Sequence, residues 1–86
     1  MDRSGPRIRA NRKEQEALLT LLREIRTEAG MRQEDLADAL GMPQSVVSKY
    51  ESGERRLDIL ELRQVCKAAG LTLQKFSARL ERMMED

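Results

Sequence analysis

Three times in 86 residues, a small or apolar side chain, a glycine and a further apolar side chain follow one another: Ala29-Gly30-Met31, Leu40-Gly41-Met42 and Ala69-Gly70-Leu71. A glycine in that setting reads as a helix end, where the chain passes through a left-handed residue and the next apolar side chain folds back over the last turn. The spacings between the three differ, which excludes an internal repeat. The punctuation imposes short helices that must bury their apolar faces against one another.

With one Phe, one Tyr and no Trp, the core has to come from Leu, Ile, Val, Met and Ala, which interdigitate well between helices. No long polar-apolar alternation and no Asn-Gly or Asp-Gly hairpin signal is present. The expected class is all-α, a compact five-helix bundle.

Leu18, Leu21, Leu22, Ile25 and Ala29 recur at helical spacing and predict a first helix over residues 14–29. Leu36, Ala37 and Leu40 predict a second over 33–40, with Met31 folding back toward Leu36. Pro43 can open a helix but not continue one, so a third is expected over 44–51, turning Val47 and Tyr50 inward and ending at Ser52-Gly53. Asp58 and Glu61 form a capping-box signature for a fourth helix, with Leu57 able to pack on Leu62 and with Leu62, Val65, Cys66 and Ala69 inward. Thr72 caps a fifth, on which Leu73, Phe76, Leu80 and Met83 share a face and Leu71 packs toward Phe76. Residues 1–13 show no such pattern and read as a flexible basic arm ahead of a domain over 14–86.

Several function classes are disfavoured. There is no His and a single Cys, which removes the usual general base, most zinc-ligand sets and any disulfide within one chain. Cys66 lies on the inward stripe of the fourth helix and reads as a core residue. A Ser-Lys pair made from Ser45 or Ser48 with Lys49 lacks both alignment and an oxyanion site. No catalytic residue, metal or cofactor is therefore expected. The longest apolar run, residues 17–22, is interrupted by Thr20 and falls far short of a membrane span, and the basic start is not followed by a signal-peptide core. A cytoplasmic protein is expected.

The most informative stretch is QEDLADALGMPQSVVSKYES, residues 33–52. Ala37 is small enough for a second helix to cross closely, Gly41 supplies the turn, and Met42 ahead of Pro43 is driven to an extended conformation from which it can enter the core. Leu36, Leu40, Val47 and Tyr50 form the shared apolar seam. With LREIRTEAG before it and LDILELRQVCKAAGLTL after it, residues 20–77 resemble the phage-repressor and Cro-like (XRE) helix-turn-helix family of DNA-binding regulators. Two positions depart from the family pattern: Arg32 stands where Thr or Ser commonly precedes the second helix, and Pro43 where Ser or Thr opens the recognition helix.

The resemblance implies a sequence-specific transcriptional regulator of double-stranded DNA, most simply a stand-alone prokaryotic or phage repressor acting as a homodimer on a pseudo-palindromic operator. Gln44, Ser45, Ser48 and Lys49 would face base edges in the major groove, where a Gln amide suits adenine and Lys suits guanine acceptors. Arg32, Gln33, Ser52, Arg55 and Arg56 would hold phosphates. Leu73, Phe76, Leu80, Met83 and Met84 on the last helix are the expected dimer seam, placing two recognition helices roughly 34 Å apart. No small-molecule effector is expected. The alternative is an antitoxin or adaptor whose protein partner, such as a toxin, occupies that last helix.

The formal charge of +1 conceals an asymmetry. Residues 1–13 hold five basic groups against one acid, or +4, and residues 14–86 hold eleven against fourteen, or −3. The arm is therefore expected to carry much of the salt-dependent attraction to DNA, and the helix-turn-helix the specificity.

Overall fold

A computed structural model of the protein describes residues 8–85. These form five helices and no strand: α1 Arg12–Glu28, α2 Gln33–Leu40, α3 Gln44–Ser52, α4 Ile59–Ala68 and α5 Leu73–Met83. Residues 1–7 of the expected arm lie outside the described residues.

α1 begins two residues earlier than the apolar periodicity indicates. The Asn11 side chain accepts from the Glu14 backbone N–H at 2.8 Å, and the Glu14 carboxylate accepts from the Asn11 N–H at 3.0 Å. This reciprocal cap satisfies two otherwise orphaned donors and draws Arg12 and Lys13 into the helix. At its other end Ala29, expected on the apolar face, is an exposed cap residue.

α4 opens as its sequence indicates: Asp58 accepts from the Glu61 N–H at 2.7 Å and Glu61 accepts from the Asp58 N–H at 3.0 Å. Thr72 caps α5 through its hydroxyl, which accepts from the Lys75 N–H at 3.1 Å. Between α2 and α3 the chain turns at Gly41, φ +69°, and the Met42 N–H closes back onto the Ala37 carbonyl at 3.0 Å.

Every helix contributes to one core. Leu21, Leu22 and Ile25 of α1 meet Leu36 and Ala37 of α2, Val47 and Tyr50 of α3, Val65 and Cys66 of α4 and Phe76 of α5. Met31, Leu57 and Leu71, the three side chains expected to fold back over helix starts, are each half-buried against it. Met42 stops short of the core: half-buried, it lines a small cleft with Leu40, Tyr50 and Leu57. α2 packs most extensively on α3, as the small Ala37 permits. α5 lies across α1 and α4, and Arg79 clasps Glu28 through two hydrogen bonds of 2.8 Å. That clasp holds the Glu28 carboxyl below its usual range.

Candidate nucleic-acid interface

α3 has two distinct sides. Val47, Tyr50 and Glu51 are buried, whereas Gln44, Ser45, Ser48 and Lys49 are all exposed. Positions i, i+1, i+4 and i+5 fall within one arc of a helix, so these four side chains form one continuous polar strip. The structure brings together all four residues expected to read bases.

The strip is anchored to the interior at one end. The Gln44 amide Nε2 donates to Gln33 Oε1 at 2.7 Å, and Gln33 Nε2 donates in turn to Glu51 Oε1 at 3.1 Å. Glu51 is only 3% exposed, and Arg26 of α1 grips both its oxygens, Nε to Oε2 at 2.7 Å and Nη2 to Oε1 at 3.0 Å. Arg26 Nη1 also donates to the Met31 carbonyl at 3.0 Å. The hydrogen bond to Glu51 outweighs the desolvation of Arg26 and raises its pKa, so the guanidinium stays charged.

A carboxylate only accepts, so the direction of every hydrogen bond in this chain is set from within. Glu51 demands a donor from Gln33, Gln33 then offers its carbonyl, and Gln44 must turn an N–H inward. The Gln44 carbonyl and its second N–H remain for an outside partner. Neither Arg26 nor Glu51 was singled out from the sequence. The local signal was their register: Glu51 falls four residues after Val47, and Arg26 four after Leu22, placing charges at the edge of inward stripes.

The residues expected to hold phosphates are placed differently from one another. Gln33 opens α2 and is already engaged on both sides by Glu51 and Gln44. Arg32 is exposed, and its cation at the α2 N-terminus is met by the chain's own Asp35 at 3.3 Å and Glu34 at 3.7 Å. The Arg32 guanidinium accordingly lowers the Asp35 pKa. Arg55 pairs with Glu61 at 2.9 Å; the Asp58 N–H first and Arg55 second hold that carboxyl low. Ser52 is exposed, with its hydroxyl donating to the Lys49 carbonyl at 3.0 Å. Arg56 and Lys49 are exposed and have no ion pair among the described residues.

The expected dimer seam on α5 is largely consumed by the chain itself. Phe76 is 1% exposed and belongs to the core, while Leu73, Leu80 and Met84 are half-buried. Only Met83, 37% exposed, presents much apolar surface. The more exposed apolar pair lies elsewhere, at Ile59 and Leu60 in the first turn of α4, which sequence reasoning did not assign.

Among the described residues no group of three or more acidic or Cys side chains could hold a metal ion, and no helix is long and apolar enough to cross a membrane. Cys66 is buried, and burial pushes its thiol pKa up.

The geometry has close counterparts among known proteins. A family model for the helix-turn-helix matches residues 22–81. The fold superposes with a TM-score of 0.77 on an XRE-family like protein from Pseudomonas syringae pv. tomato str. DC3000, with 44% sequence identity over 84% of this chain and 88% of that one. The restriction-modification controller protein C.Esp1396I is similar at 25% identity and TM-score 0.78, over 88% of this chain and 97% of that one. So is the clp gene regulator ClgR from C. glutamicum, at 26% identity and TM-score 0.72, over 84% of this chain and 94% of that one. No protein with a curated description matches the chain. The two-helix unit with its left-handed Gly41 turn, set in a core that the matched region spans almost end to end, establishes that this chain belongs to the XRE-type helix-turn-helix family of DNA-binding transcriptional regulators.

Proposed function

We propose that the chain is a cytoplasmic repressor that binds a pseudo-palindromic operator as a homodimer, reading bases with α3 and gripping phosphates around it. The observation that carries this reading is the hydrogen-bonded chain from Arg26 through Glu51 and Gln33 to Gln44. A surface glutamine has no structural need of a buried ion pair. A glutamine that must present one carbonyl and one N–H in a fixed direction does, because a bidentate contact to adenine uses that donor-acceptor pair. Ordering the side chain before DNA arrives reduces the entropy lost on binding.

Ser45, Ser48 and Lys49 supply the other base-facing groups along the same exposed strip. Arg56 is the phosphate contact whose guanidinium has no ion pair among the described residues. Arg55 and Arg32 have to exchange Glu61 and Asp35 for phosphate, and Gln33 and the first N–H groups of α2 offer uncharged donors. Two of the similar proteins are a restriction-modification controller and a regulator of the clp gene, which favours control of transcription over a purely architectural role.

Selection of bound sites from random duplex DNA tests the proposal. The expected result is a short sequence repeated with inverted symmetry, its half-sites separated by about one helical turn. Equal retention of every duplex would overturn it.

A further inference from the structure

Residues 15, 18, 19 and 22 fall on one stripe of α1, and the fold sets that stripe opposite Leu57 and Leu62 across a cavity of about 110 Å³. Leu22 is buried there, and Leu18, Leu19, Leu57 and Leu62 are half-buried. Protein interiors leave few spaces of that size. Tyr50 also lines the cavity, and its hydroxyl is buried with no hydrogen-bond partner among the described residues. Packing and hydrogen bonding are thus both incomplete at one place.

The rim is cationic. Arg55 and Arg56 stand at it with the Gln15 amide, and no acidic side chain among the described residues lines the cavity. Arg55 is already paired with Glu61 at 2.9 Å, whereas Arg56 is exposed and has no ion pair among the described residues. We propose that the cavity binds a short monocarboxylate, its alkyl chain among the leucines and its carboxylate on Arg56, and that the bound ligand releases DNA. A cavity of about 150 Å³ admits benzene, so one of about 110 Å³ takes an apolar body of about four carbons. One unpaired guanidinium matches one negative charge, and its planar fork suits a carboxylate. An apolar wall with a few polar groups at its edge is the usual build of a small-molecule site.

The effect on DNA rests on the proposed function, in which Arg55 and Arg56 hold phosphates. A carboxylate and a DNA phosphate then compete for the same guanidinium. By linkage the effect is mutual, so DNA weakens the ligand by the factor by which the ligand weakens DNA. Such an effector departs from the expectation raised by the sequence. The walls come from α1, the end of α3 and the start of α4, and residues so far apart leave no local pattern.

Pentanoate, which carries four apolar carbons, is the probe, titrated into the full chain. Tyr50 is the sole tyrosine and there is no Trp, so tyrosine fluorescence reports from the cavity wall. Pentanoate should give a saturable change, acetate at equal ionic strength none, and pentanol weaker binding. Arg56→Gln should weaken pentanoate by roughly three-fold or more and leave pentanol unchanged. Leu18→Phe fills the cavity and should abolish the pentanoate response while keeping the wild-type circular dichroism. Random duplex DNA at low salt gives the second reading, because a phosphate grip needs no particular sequence. Pentanoate at about ten times its Kd should weaken DNA binding several-fold, and by about ten-fold where the two exclude each other fully. No saturable change, an equal response to acetate, pentanol bound as tightly as pentanoate, or an unaltered pentanoate affinity in either variant overturns the site. Pentanoate binding that leaves DNA affinity unchanged overturns the release of DNA. A chain that binds pentanoate and no DNA defeats the proposed function and leaves the site. One that selects a DNA sequence and ignores pentanoate defeats the site and leaves the regulator.

Discussion

Glu51 is a carboxylate in a position that most helices give to an apolar side chain, and it is tolerated because both its oxygens are used. Arg26 and Gln33 between them supply three hydrogen bonds. Removing it by Glu51→Ala leaves the Arg26 guanidinium, 12% exposed, without its counter-charge. The expected loss is about 3 to 5 kcal/mol, measured by urea unfolding, whereas the double change Arg26→Met with Glu51→Leu should recover most of it. That double variant should nevertheless discriminate DNA less well, since Gln33 no longer has an inner anchor. Two further substitutions separate reading from gripping. Gln44→Ala should lose about 1 to 3 kcal/mol of discrimination at one base position and leave the salt dependence of binding unchanged. Arg56→Ala should weaken binding to all sequences alike and reduce the salt slope by about one charge. Identical behaviour of the two variants in binding titrations at several salt concentrations would contradict the division.

Helix ends decide how the elements meet, and they were unevenly legible. Asp58 with Glu61, and Thr72, each stand out because an apolar run follows the cap. Asn11 with Glu14 carries the same signature, but the residues it opens onto, Arg12 and Lys13, match the basic arm in composition, so the true start of α1 was hidden. The outward strip of α3 follows from Val47 and Tyr50 facing inward. The ion pair beneath it does not, because two residues 25 positions apart that satisfy each other leave no local pattern. Gly53 ends α3 at φ +90°, and a Cβ there would lie 3.2 Å from Leu19 Cδ1; Gly41, at φ +69°, has open space around it. Gly53→Ala should therefore destabilise by more than the roughly 1 to 2 kcal/mol that the left-handed backbone alone imposes on Gly41→Ala, as read from thermal melts. The helix junctions also set the response to acid. Glu28, Asp35 and Glu61 all have carboxyl pKa values lowered in the folded chain, by Arg79, by Arg32, and by the Asp58 N–H with Arg55 respectively. A lowered folded pKa contributes stability that is present above the unfolded carboxylate range and is lost as pH falls through the folded values. The melting temperature should thus decline on the acid side, and Glu28→Gln should make that decline shallower.

For the molecule as a whole, the proposed function assigns charge and specificity to different parts of the chain. Because Asn11 caps α1, a clean removal of the basic segment ends before it. Deleting residues 1–10 takes away Arg3, Arg7 and Arg9 while leaving the cap. The preferred site should be unchanged, and for six arginines in the proposed dimer the salt slope should become shallower by up to about 5. An unchanged slope would show that the segment does not touch DNA. The hydrogen-bonded chain behind Gln44 carries one last consequence, for how such a regulator acquires a new address. Ser45, Ser48 and Lys49 are exposed and detached from the core, so mutation is free to rewrite them without disturbing the fold. Gln44 is tied through Gln33 to the ion pair that joins α1 to α3. With α3 as the proposed reading helix, descendants of this chain should therefore wander among target sequences that share the base assigned to Gln44 and differ at the others, with one letter of the address inherited together with the interior of the protein.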